Sequence, residues 1–199
     1  MGIRIRNRFH AKGQRSPGTL ASVGALLAWK LAIESIRRMR RADFDIEAGQ
    51  SYFDFICEFL VFIALSADRI AHRELDPETR AGFTAGMARR LSEIVEENNA
   101  EYFRAEPESC RRHFVDLFNR RGGEYAEFGY GPDGPDFGFR RYFGACLREV
   151  LPAKDQLWVI DHTMDIEAPE AIKTLDRTLL GLFHPESAPR HKQHVTDVG

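Results

Sequence analysis

Cysteine is scarce in this chain, and so are the glycine-centred motifs of the common catalytic folds. Cys57, Cys110 and Cys146 are the only cysteines among 199 residues, and they form no Cys-x-x-Cys. An odd, scattered set argues against a disulfide framework or a thiolate metal site and fits a reducing compartment. There is no Walker loop, no Gly-x-Gly-x-x-Gly after a strand, no Gly-x-Ser-x-Gly, no His-Glu-x-x-His and no EF-hand spacing. The best-marked nucleotide, hydrolase, zinc and calcium chemistries therefore lack their sequence signatures.

Long hydrophobic runs are missing as well. The most apolar stretch, Tyr52 to Leu65, spans 14 residues and contains Asp54 and Glu58. A membrane span needs roughly 20 apolar residues, so this segment is expected to be a buried core helix. The basic stretch holding Arg4, Arg6, Arg8, Lys12 and Arg15 precedes apolar residues from Leu20 to Leu27, as in a signal peptide. That stretch runs on through Lys30 into an amphipathic pattern without a small-residue cleavage site. A cytoplasmic location is the expectation.

What the chain does contain is ordinary for a folded protein. A hydrophobic share of 43% beside 29% charged residues excludes wholesale disorder, and the length suffices for a real core. The net charge of −2 conceals an asymmetry, because residues 1–41 carry ten Lys/Arg and one acid, Glu34. A basic head on an acidic body fits binding to nucleic acid or an anionic surface, or docking on an acidic surface of the same or another subunit. With few aromatics interleaved and no nucleic-acid motif, docking of the head on the protein's own surface, or disorder, is the first reading.

Apolar spacing predicts helices nearly throughout, and strand alternation is almost absent. The first is expected from Ser16-Pro17-Gly18 to Arg41, its basic end (Arg37, Arg38, Arg40, Arg41) suiting the negative pole of the helix dipole. The second, from about 48 to 75, is apolar on nearly every side and belongs at the centre of a bundle. Asp76-Pro77 starts a third, continuing to about Phe103, within which Gly82-x-x-x-Gly86 would admit a close neighbour. Further helices are expected at 107–121, 139–150, 153–164 and 168–183. The fold class is all-α, a single-domain orthogonal or up-down bundle of six to seven helices with one long aromatic loop. Residues 1–15 are expected to be a flexible basic arm, 16–183 the helical domain and 184–199 a disordered polar tail.

The loop, Gly123 to Phe139, holds Tyr125, Phe128, Tyr130, Phe137 and Phe139 with four acids. It exceeds the usual helix–helix link of about 2–8 residues, and its rings argue for an ordered lid or a recognition element. Arg120, Arg121, Arg140 and Arg141 bracket it closely enough to answer its acids.

Candidate chemistry is thin. On the second helix Asp54, Glu58, Asp68 and His72 share one face, and Asp161 and His162 stand in the densest acid–imidazole cluster. Glu58, His72, Asp161 and His162 are the weak metal or acid–base candidates. Arginine pairing of the buried acids, and helix capping by the acids before Ala168-Pro169, are preferred to them. No cofactor and no metal is expected, and a catalytic role is not favoured. The function expected is a non-catalytic interaction or assembly protein, self-associating, with contacts through Arg37, Arg38, Arg40, Arg41, Tyr125, Phe128, Tyr130 and Phe137. The alternatives are a metal- or small-ligand-binding helical enzyme with an acidic-His site, and a binder of nucleic acid or anionic surfaces through the basic N-terminal region.

Overall fold

Local start signals place the helices, and the apolar middle of the second helix decides how they pack. The computed structural model describes residues 16–46, 49–98 and 107–185. In chain order these form α1 (Pro17–Arg41), α2 (Gln50–Glu74), α3 (Pro77–Glu97) and α4 (Pro107–Tyr125). An antiparallel hairpin follows, β1 (Tyr130–Gly131) with β2 (Gly134–Pro135), and then α5 (Phe137–Val150). The short α6 (Val159–His162) passes through a π-helical turn (Thr163–Glu167) into α7 (Ala168–Phe183). The fold is an all-α, single-domain helical bundle with almost no sheet.

Three helices begin on side-chain caps that satisfy otherwise orphaned N–H groups. Ser16 accepts from Thr19 N ahead of Pro17. Asp76 Oδ1 accepts from Glu78 N (3.1 Å) and Thr79 N (2.9 Å) ahead of Pro77. Asp136 Oδ1 accepts from Phe139 N at 2.7 Å, so α5 opens at Phe137, two residues before the expected start.

Every residue of α2 from Phe55 to Ala64 is buried. A helix apolar on all sides must be surrounded, and α2 touches α1, α3, α4, α5 and α7. Phe62 stacks on Phe143 of α5 at 4.0 Å, and Phe59 meets the same ring edge-on at 5.3 Å. α1 and α3 approach closely at Gly86, where an added Cβ would stand 2.8 Å from the Ala21 Cβ. α1 is long and apolar enough by composition to cross a membrane, with a mean hydropathy of 1.4 over 18 residues, and half of that window is buried in the bundle.

Two expectations change around Pro152 and Pro169. The separate helix anticipated over 153–164 is a run of turns up to Trp158 followed by α6, which continues through the π-helical turn into α7. Pro169 has no N–H to give to the Asp165 carbonyl, and the widened turn lies directly before it. The acids ahead of Ala168-Pro169 consequently do not cap a fresh helix, and no side-chain cap is present there. The long loop also contains a hairpin that strand periodicity missed. Its turn is Gly131-Pro132-Asp133-Gly134, with Gly134 at φ 100°, a backbone region that favours glycine. The extension of α3 toward Phe103, the basic arm 1–15 and the tail from residue 186 lie outside the described residues. His184, at the end of α7, is placed, its Nε2 2.9 Å from Glu74 Oε2.

Candidate functional site

The aromatic loop folds inward and closes one side of the bundle. Tyr125 is 2% exposed and packs against Phe139 at 4.5 Å and edge-on to Tyr142 at 5.0 Å. Phe128 stacks on Tyr142 at 5.3 Å, and Tyr130 meets Phe139 edge-on at 5.6 Å. Only Phe137 of the loop rings is well exposed, at 63%. Asp136 fastens the base of the hairpin, because its Oδ2 accepts from Gly129 N at 2.9 Å while Oδ1 caps α5.

Beneath the loop lies a buried ionic network joining α2, α4 and α5. Glu58 Oε1 accepts from Arg121 Nη2 at 2.6 Å, and both its oxygens accept from Arg121 Nε at 3.1 Å. Arg121 Nη1 also donates to Glu124 Oε2 (3.0 Å) and to Tyr142 Oη (2.6 Å), and Tyr142 Oη donates to Glu124 Oε2 at 2.5 Å. Burial pushes the Glu58 carboxyl up from its ordinary value, and the bonds and charge of Arg121 draw it back only in part. Burial works against the Arg121 charge too, but Glu58 outweighs it and keeps the guanidinium protonated. Beside it, burial and then the Glu58 charge push the Cys146 thiol up to about 12. Burial and then the Glu124 hydrogen bond raise the Tyr142 phenol. The cluster thus presents neither a thiolate nor a phenolate near neutral pH, and its geometry suits clamping the loop rather than activating a nucleophile.

A second buried carboxylate sits in the π-helical turn. Glu167 is fully buried, and its Oε2 accepts from Ser35 Oγ (2.6 Å) and Arg38 Nη2 (2.6 Å). Its Oε1 lies 3.3 Å from His162 Nε2, whose ring packs 4.9 Å from Phe44. Together with Asp155 Oδ2, which accepts from Asp45 N at 2.7 Å, and the Lys154–Asp45 ion pair at 2.9 Å, this fixes the basic end of α1 beside residues 154–167. On that same end of the molecule Leu157 is 78% and Trp158 68% exposed, while the next residue, Val159, is fully buried.

The sequence candidates are distributed as follows. Glu58 and His72 are about 21 Å apart along α2 by helical rise, and His72 is exposed, with Nδ1 3.2 Å from Arg80 Nη1. Asp161 is exposed and His162 is directed at Glu167, so the structure does not join these two to Glu58 and His72. No group of three or more metal-ligating side chains gathers among the described residues. Arg37 and Arg41 are exposed, Arg38 binds Glu167, and Arg40 donates to the Ile46 carbonyl and lies 5.2 Å from the Tyr52 ring centre. Of the partner-contact candidates in the loop, Tyr125, Phe128 and Tyr130 pack inward and Phe137 faces out. Sequence reasoning missed the burial of Glu167, Arg121 as the partner of Glu58, and the Leu157–Trp158 pair. The available signal for the last was an apolar pair between turn residues, one turn before Asp161. Comparison with protein-family models, curated proteins and solved structures finds no match for this chain.

Proposed function

We propose that the protein is a non-catalytic assembly module that self-associates through the end bearing Leu157 and Trp158. The observation that carries this reading is the adjacent pair of large apolar side chains at 78% and 68% exposure. Exposed tryptophan is costly in water and is among the strongest interface anchors. The surrounding charges favour a second copy as partner. Exposed Arg37 and Arg41 end α1, and exposed Asp161 and Asp165 follow Trp158 on the element to which Arg38 ties that helix. Exposed charges of both signs at this end let two copies meet about a two-fold axis, the basic side of one against the acidic side of the other. Three buried free cysteines are compatible with such a role in the cytoplasm.

Sedimentation velocity over a concentration series tests the reading. The wild type is expected to show a concentration-dependent dimer that weakens as salt rises. Trp158→Ala is expected to weaken it roughly thirtyfold, the effect of losing a hot-spot side chain. A wild type that stays monomeric at high concentration, or a dimer indifferent to Trp158→Ala and Leu157→Ser, refutes the proposal.

A further inference from the structure

The hairpin does more than close the loop: with α7 it walls a cleft of about 670 Å³, a size typical of small-molecule sites. Pro132, Pro135, Pro169 and Ile172 supply its apolar walls, and Asp133, Asp136, Arg140, Lys173 and Asp176 its charges.

Those charges are not equally free. Asp136 commits both oxygens to backbone N–H groups, at Phe139 and Gly129. Asp176 Oδ1 already accepts from Arg73 Nη2 at 3.3 Å, and Arg73 Nη1 donates to the Gly131 carbonyl at 2.8 Å, so that pair also pins the hairpin. Arg140 is different. Its Nη1 makes one long bond, 3.4 Å, to the Met164 carbonyl, and its buried Nε has no protein acceptor. No carboxylate among the described residues pairs with it, although a half-buried guanidinium carries five N–H donors to satisfy. Lys173 and Asp133 are exposed and likewise without an ion-pair partner among the described residues. After internal pairing, the cleft retains two cations, Arg140 and Lys173, one free acid, Asp133, and the hydrogen-bonded but still anionic Asp136, around an apolar wall.

We infer that this cleft binds a small amphoteric carboxylate, an α-amino acid with an apolar side chain. The ligand carboxylate bonds to Arg140 and Lys173, its ammonium faces Asp133, and its side chain lies against Pro135, Pro169 and Ile172. A guanidinium suits a planar carboxylate through paired N–H donors. A phosphate dianion suits the cleft less well, because three carboxylates line it.

Titration of the ¹⁵N-labelled full chain with L-valine, isovalerate and inorganic phosphate tests the assignment. Valine is expected to shift the amides of Gly131, Asp133, Gly134 and Lys173 saturably, and isovalerate, which lacks the ammonium, to bind about tenfold more weakly. Arg140→Gln and, separately, the exposed Lys173→Gln are each expected to weaken valine at least roughly tenfold, the lower range for a hydrogen bond to a charged group. No saturable shift at these amides overturns the inference, as does valine affinity unchanged in Lys173→Gln or in folded Arg140→Gln. Isovalerate or phosphate binding as tightly as valine overturns it equally.

Discussion

Replacing Arg121 by methionine isolates the energetics of the buried network. Methionine keeps most of the apolar stem and removes the guanidinium, whose side chain is 8% exposed beside a Glu58 side chain that is 5% exposed. Glu58 would lose three donor contacts at 2.6–3.1 Å and stay in the core without a partner. Breaking a buried ion pair from one side costs about 3–5 kcal/mol, a large part of the roughly 5–15 kcal/mol that holds a domain folded. With a urea slope of about 2 kcal/mol per molar, the midpoint should fall by about 2 M. Glu58 can relieve the strain only by taking up a proton. Its folded carboxyl already titrates above its unfolded value, so the folded state holds the extra proton and stability falls as pH rises between the two. Without Arg121 this window widens, and the destabilisation is larger at pH 7 than at pH 5. Replacing both partners, Glu58→Leu with Arg121→Met, removes the orphaned charge and should recover most of the loss, leaving the Tyr142–Glu124 bond in place. Urea unfolding followed by circular dichroism measures all three variants. A single-variant shift under about 0.5 M, or a double variant as unstable as the single, refutes the reasoning.

Two helix glycines should respond to alanine with opposite signs. At Gly86 the new methyl meets Ala21 at 2.8 Å and separates α1 from α3, costing about 1–3 kcal/mol. At Gly181 nothing stands within 4 Å, so Gly181→Ala should stabilise by about 0.5–1 kcal/mol through helix propensity; equal signs in thermal melts would refute the packing account. Asp68 tests acid stability. Burial alone would raise its carboxyl, but bonds from Arg80 (2.6 and 2.9 Å) and Thr84 (2.5 Å) outweigh burial and hold it below the ordinary value. A depressed folded value means the contribution is present above the unfolded value, about 3.9, and is lost as pH falls through the folded one. Asp68→Asn should therefore be less stable than wild type at pH 7, with the gap starting to close only as pH falls below about 4; a gap independent of pH would count against the pairing.

Much of the fold is legible locally. Ser16-Pro17 and Asp76-Pro77 announce helix starts because a side-chain acceptor and a residue without N–H satisfy the first turn by themselves. The apolar character of Phe55 to Ala64, broken only by Glu58, places α2 at the centre whatever surrounds it. Pro132-Asp133-Gly134 was equally readable as a turn, but its two-residue strands are too short to show alternation. The candidate sites were far less legible. Arg120 and Arg121 are the same residue type about 100° apart around one helix, and only the arrival of α2 makes one exposed and the other the partner of Glu58. Leu157, Trp158 and Val159 read alike, yet the first two face solvent and the third is fully buried. Glu167 reads as a helix cap beside Pro169, and becomes a core carboxylate because Ser35, 132 positions away, and Arg38 come to it. Sequence alone determined what a residue can settle with its near neighbours: caps, turns and helical faces. The tertiary structure decided which charges are buried and which apolar side chains stay exposed, because desolvation depends on what packs from distant parts of the chain.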